Sequence, residues 1–224
     1  MSDNQPGLAD LRITVDIVIY TIRDSQLQVL LTKRSDPPFE GLDVLPGGYM
    51  WEGETGETAV KRLLKEKTGV ENVFVEQLYT FDAIDRDPRE RVVSMAYFAL
   101  VPEAKMQNLS HGAHLKEVYA HGKLGFDHNQ IVDMAKKRMV SKLEYTNAAY
   151  SLLPKKFTLS ELQSVYEISL NQTLDKRNFR KKILTLDMVA PTDEMQTGKK
   201  HRPARLYTFK KRIPHAFDSP FVWQ

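Results

Sequence analysis

The stretch PGGYMWEGETGETAVKRLLKEKTGV, from Pro46 to Val70, leaves few folds open to this chain. It sets a glycine pair against a helix whose two ends are both written in the sequence. Thr55 is placed to cap the helix, Glu57 puts negative charge in its first turn, and Gly69 supplies the residue that ends it. The spacing predicts a helix over about residues 56–68. Gly47 and Gly48 carry no side chains, so the backbone ahead of the helix can approach another group closely.

The segments around this stretch mix strands with helices. Residues 11–34 are apolar and rich in β-branched side chains, broken at Arg23-Asp24-Ser25, which predicts a hairpin or two neighbouring strands. Pro37, Pro38 and Gly41 mark a loop. Strands are expected over Val73–Tyr79 and Val92–Leu100. A helix is expected over Asp127–Lys142, where Ile131, Ala135 and Met139 fall four residues apart. That alternation implies an α/β layered domain. There is no cysteine, which excludes a disulfide framework and a thiolate metal site. The first residues lack the basic and apolar regions of a signal peptide, and no apolar run approaches the roughly 20 residues that span a bilayer. The expectation is a soluble, cytoplasmic protein with no membrane partner.

Charge divides the chain. From Ser151 onward there are 14 Lys and Arg against 7 Asp and Glu, whereas the preceding residues hold 18 against 22. A basic end on an acidic body points to a polyanionic partner or, more plainly, to a solvated basic surface. The same region has its own pattern. Thr158 and Glu161 form a capping box ahead of Leu162, Val165 and Tyr166, and Asp175 can cap a second helix, KRNFRKKIL. Leu186–Ala190 and Arg205–Phe209 read as two strands joined by a basic loop. Helix, turn, helix, strand, loop, strand is the order of a winged helix-turn-helix. In that arrangement the start of the second helix meets DNA through Lys176, Arg177, Asn178, Arg180, Lys181 and Lys182, while Phe179 and Ile183 face inward. Lys199, Lys200 and Arg202 would belong to the wing. Asn and Arg read base edges and Lys meets phosphate.

Gly48, Glu54, Arg62, Leu64, Glu66, Gly69 and Val70 fall on the slots of the Nudix box, and the stretch resembles that family. The resemblance implies an α/β/α sandwich with a mixed sheet. In the family the helix positions that correspond to 63, 66 and 67 carry acids. These are i, i+3 and i+4, so they share one helix face and hold Mg²⁺ against a diphosphate. This chain has Leu63, Glu66 and Lys67 there. Lys67 would repel the ion, and no catalytic residue, metal site or cofactor is expected.

The segment from Asp82 to Ser94 resembles the Asp-Pro-Arg region of ADP-ribose-type Nudix proteins. Arg86, Arg89 and Arg91 are therefore candidates for an anionic ligand, with local pairing to Asp82, Asp85, Asp87 and Glu90 as the plain alternative. Arg34, Gly47, Gly48, Tyr49 and Glu66 complete the candidate ligand set. His111, His114 and His121 have no zinc spacing. Phe126-Asp127-His128 is expected to cap and pack the helix that follows.

Taken together, a Nudix-like domain over residues 1–148 and a winged helix over 149–224 resemble the NrtR family of Nudix-related regulators. The resemblance implies a homodimer on a palindromic duplex, released or recruited by a small effector, with ADP-ribose favoured over a sugar such as arabinose. An active Mg²⁺-dependent hydrolase of ADP-ribose, using Glu66 with a carboxylate such as Glu117, is the alternative. A pure protein-interaction module is the third reading.

Overall fold

The computed structural model describes residues 10–196, 203–213 and 215–216. Its centre is β1 (Arg12–Arg23), whose apolar run is buried on both faces, as a strand in the middle of a layered fold must be. Asp24 and Ser25, both at positive φ, turn it into β2 (Gln26–Lys33). That two-residue turn closes the expected hairpin with a twist matching the strands. On its other side β1 pairs in parallel with β6 (Val92–Leu100), from Arg12 opposite Val92 to Tyr20 opposite Leu100. The sheet runs β3 (Asp43–Val44), β2, β1, β6, β5 (Glu76–Phe81), with β4 (Gly47–Tyr49) on β1 and β7 (His114–Glu117) on β2. All pairings except β1 with β6 are antiparallel, so the sheet is mixed.

Alternation along β1 sends side chains to two cores. Val15, Ile17 and Ile19 meet Ala59, Val60, Leu63 and Leu64 of α1 (Gly56–Thr68). Val18 and Tyr20 meet Ile131, Val132, Ala135 and Met139 of α2 (His128–Tyr145). Thr55 caps α1 and Gly69 ends it at φ 73°, as the sequence predicts. The second core continues without a break through Ala149, Leu153, Phe157, Leu162 and Tyr166 into the C-terminal part. There α3 (Leu159–Leu170) and α4 (Lys176–Thr185) precede the antiparallel ribbon β8 (Val189–Met195) and β9 (Arg205–Phe209). This is a mixed-sheet α/β/α domain followed by a winged helix. No helix among the described residues is long and apolar enough to cross a membrane.

Two strands are displaced from expectation. The Val73–Tyr79 strand is found at Glu76–Phe81, where a register shift between Gln77 and Tyr79 fits it to β6. The Leu186–Ala190 strand starts at Val189, because Leu186 still caps α4 and Asp187 turns the chain at φ 52°. Strands β3, β4 and β7 are two to four residues long, too short for an alternation to show.

The Thr158 hydroxyl accepts from the Glu161 amide at 3.1 Å, and the Glu161 carboxylate accepts from the Thr158 amide at 2.8 Å. Thr158→Ala removes one half of that exchange. Urea denaturation is expected to show a loss of about 1 kcal/mol; an unchanged midpoint would count against the cap as a determinant of α3.

Candidate ligand site and nucleic-acid interface

The glycine loop and α1 are clamped by Arg62. Its Nε and Nη2 donate to the two Glu54 oxygens at 2.6 and 2.7 Å, Nη2 also reaches the Tyr49 carbonyl, and Nη1 reaches Glu66 at 3.2 Å. The Trp51 ring lies 3.6 Å from the guanidinium. The bonds from Arg62 hold the Glu54 carboxyl down at about 2. Leu63 is buried against Gly48, where a Cβ would come within 2.9 Å of the leucine tip. The helix face that carries acids in the Nudix box thus presents a packed leucine, a carboxylate tied to an arginine, and the exposed Lys67. Among the described residues no group of three or more His, Cys, Asp or Glu is placed to hold a metal ion. Glu117 stands on β7 opposite Gln28, and His114 lies 3.2 Å from Asp43.

The three arginines of the 82–91 loop part company. Arg86 turns inward and is buried. Its Nη2 donates to Asp16 at 3.1 Å, and Nη2 and Nε donate to the two Asp127 oxygens at 2.8 and 3.0 Å. None of its partners is a neighbouring acid of its own loop. Arg89 does follow the local alternative, pairing with Asp87 at 2.7 and 3.0 Å while 40% of its side chain stays exposed. Arg91 donates to the carbonyls of Asp82 and Ala83. Tyr49, on β4, donates to Glu90 at 2.7 Å. Arg34 is half-buried, bonded to the carbonyls of Pro37 and Pro38 and stacked 4.9 Å from the Phe126 ring.

Sequence reading missed the group at the centre of this arrangement. Asp16 is a lone acid within an apolar strand, and that isolation was the available signal, since a buried carboxylate is nearly always paired. It receives Arg86, the Ser94 hydroxyl at 2.6 Å and the His128 ring at 3.4 Å. Burial pushes its pKa up, but His128, Arg86 and Ser94 outweigh this and hold the carboxyl far below its ordinary value. His128 Nδ1 in turn accepts the Leu45 amide. Gly47 sits directly on the carboxylate, since a Cβ there would fall 2.5 Å from Asp16 Oδ1. Asp127 starts α2 without capping it through its side chain, because that carboxylate serves Arg86 instead.

In the C-terminal domain, Phe179 and Ile183 are buried, with the Phe179 ring 5.4 Å from Tyr166. They fix the roll of α4, so Lys176, Arg177, Asn178 and Lys181 are exposed while Arg180 and Lys182 are half-buried. Arg180 donates to Ser160 of α3 at 3.4 Å. Asp175 caps α4 through the Asn178 amide. Lys199, Lys200 and Arg202, expected in the wing, lie outside the described residues.

A glycine loop and capped helix on a mixed sheet, joined to a helix pair that presents cations, define a ligand-binding Nudix domain fused to a DNA-binding winged helix. Residues 11–138 match the NUDIX domain and residues 149–209 match the NrtR DNA-binding winged helix domain. A protein of Acinetobacter baylyi named "ADPR responsive transcriptional repressor NtrR" is 36% identical over 88% of this chain and 81% of its own. An ADP-ribose pyrophosphatase of Methanocaldococcus jannaschii is 35% identical over 52% of this chain and 70% of its own. The crystal structure of Shewanella oneidensis NrtR with a 27mer DNA superposes with a TM-score of 0.78 at 35% identity, covering 88% of this chain and 93% of that one. The NUDIX domain of the same protein with ADP ribose gives 0.52 at 36% identity, covering 61% and 94%. The chain belongs to the NrtR family of Nudix-related proteins.

Arg86→Ala removes the cation shared by the buried Asp16 and the half-buried Asp127 and is expected to lower stability by about 3–5 kcal/mol. Arg89→Ala, at an exposed pair, should cost less than about 1 kcal/mol. The acid limb checks the cause. Because folding depresses the Asp16 pKa, its contribution is complete above its ordinary value of 3.8 and is lost as pH falls below that. Arg86→Ala should therefore flatten the pH dependence of unfolding below about pH 4. Equal losses for the two variants, or an unchanged acid limb, would overturn this role.

Proposed function

We propose that this chain is a ligand-responsive transcriptional repressor. Residues 149–224 bind duplex DNA and residues 1–148 sense ADP-ribose or a closely related nucleoside diphosphate. The observation that carries the reading is α4. Two buried side chains lock its orientation, and its first turns offer Lys176, Arg177, Asn178 and Lys181 to solvent. That is the presentation a recognition helix needs in the major groove. The relatives support it: one is named a repressor responsive to ADPR, and the Shewanella protein has been solved with DNA and, as its NUDIX domain, with ADP ribose.

In this reading the protein acts in the cytoplasm as a homodimer on a palindromic site. Arg34, Gly47, Gly48, Tyr49, Glu66, Arg89 and Arg91 surround the effector, and Arg86 holds their loop in place from beneath. The domain is not a hydrolase. The packing of Leu63, the Arg62–Glu66 pair and the exposed charge of Lys67 support this, because together they leave Mg²⁺ without its helix ligands. The effector works by binding the DNA-free and DNA-bound conformations with different affinity. Linkage then makes the duplex weaken ADP-ribose by the same factor that ADP-ribose weakens the duplex.

Fluorescence polarisation with a duplex from upstream of the chain's own gene tests this. Binding should survive competitor DNA, fall steeply with added salt, and weaken on addition of ADP-ribose. Arg177→Ala should reduce duplex affinity by roughly 5–150-fold and leave ADP-ribose affinity unchanged. No preference over competitor DNA would sink the proposal. Mg²⁺-dependent AMP release that disappears in Glu66→Gln would install the hydrolase in its place.

A further inference from the structure

Beyond β9, outside the residues matched to the winged helix domain, the chain returns to the link between the two domains. Asn147 follows the residue that ends α2 and is buried. Its Nδ2 donates to the carbonyls of Lys211 and Ile213 at 2.9 and 3.1 Å, and its Oδ1 accepts the His215 amide at 2.9 Å. Its own amide donates to the His215 carbonyl, and Thr146 bridges Ala216 in antiparallel fashion. Arg212 adds a second set of bonds. Its guanidinium donates to the carbonyls of Tyr150, Leu153 and Pro154 at 2.6, 2.8 and 3.0 Å. These carbonyls belong to the link itself, along and just after the short 3-10 helix Ala148–Ser151.

The far end of α2 starts at Asp127, which holds Arg86 of the loop that carries Arg89 and Arg91. Between the two ends α2 is a single 18-residue helix, about 27 Å long at 1.5 Å per residue. It is anchored by the buried Ile131, Val132, Ala135, Met139 and Leu143. A close-packed rod of this kind moves as a unit. One end answers to the candidate ligand loop, and the other is bonded to the segment that leaves the DNA-binding ribbon.

We infer that residues 210–213 together with His215 and Ala216 form a clasp tying the DNA-binding ribbon to the end of α2, with Asn147 and Arg212 as the positioning residues that pass a ligand-driven shift of α2 to the nucleic-acid interface. This rests on the ligand-responsive reading above. It also assigns a role to chain that lies beyond the residues matched to the winged helix domain. A covalent link alone would let the winged helix swing. A second, antiparallel attachment makes the ribbon follow α2. Arg212 suits the task because its planar fork bonds several carbonyls at once.

The test uses the full chain with Asn147→Ala and, separately, Arg212→Ala. Three quantities are measured for each: duplex affinity with and without ADP-ribose, ADP-ribose affinity by calorimetry without DNA, and amide hydrogen exchange. ADP-ribose affinity should stay within about twofold of wild type. The factor by which ADP-ribose weakens duplex binding, on the order of 5–150-fold for a coupled pair of sites, should fall to near one. The amides of Asn147 and His215 should be protected in wild type and lose protection together in both variants. A purely structural role would lower stability and leave the coupling factor where it was. Should Asn147→Ala fail to fold, the half-buried Arg212→Ala decides. Wild-type coupling retained in folded Arg212→Ala, or unprotected Asn147 and His215 amides in wild type, overturns the clasp. A wild type whose duplex affinity ignores ADP-ribose overturns the repressor reading and the coupling role with it. Joint protection of the two amides would then still support the physical attachment.

Discussion

The buried contact between Asp16 and Arg86 governs how this molecule is arranged. A carboxylate in the middle of a central strand loses its water, and that loss costs several kcal/mol unless partners replace it. The partners come from three places: Ser94 on the neighbouring strand, Arg86 from the polar loop, and His128 from the start of α2. Gly47 fits over the same carboxylate because it has no side chain to clash with it. A loop rich in charge, which by composition belongs to solvent, is therefore held at a defined place over the sheet. The candidate ligand groups Arg89 and Arg91 take their positions from it.

The Nudix helix is held in place by contacts that serve its shape. Gly48, Glu54 and Arg62 shape the loop through the Arg62–Glu54 pair and the tight approach of Leu63. None of these contacts needs a metal. With Leu63 and Lys67 on that helix face the loop and helix keep their geometry, and in the proposed function the face no longer holds a hard cation. In the proposed function this leaves a pocket that can hold a diphosphate without cleaving it, which is what a sensor requires.

Binding energy in such a pocket matters only if it reaches the DNA-binding helix. The hydrophobic core on the α2 side of the sheet runs on into the winged helix, so the two parts share packing as well as chain. Rearranging a shared, close-packed core favours discrete states over gradual deformation.

The extent to which all this was legible follows from distance along the chain. The starts of α1, α3 and α4 were readable because each cap closes over three residues, Thr55 with Thr58, Thr158 with Glu161, and Asp175 with Asn178. The hairpin β1–β2, strand β6 and the inward side of α4 were readable because alternation and helical spacing are local patterns. The direction of Arg86 was not. Its partners Asp16 and Asp127 lie 70 and 41 residues away, and the nearby acids offered an equally good local account. Strands β3, β4 and β7 exist only because a longer neighbour offers them an edge. The return of the C-terminal segment to Asn147 had no sequence signal either. By itself the sequence determined the longer elements and the two-part class, because local hydrogen bonds and periodicity are set by near neighbours. The tertiary structure alone decided which charges are buried and which stay exposed, because burial depends on what the fold brings together from afar.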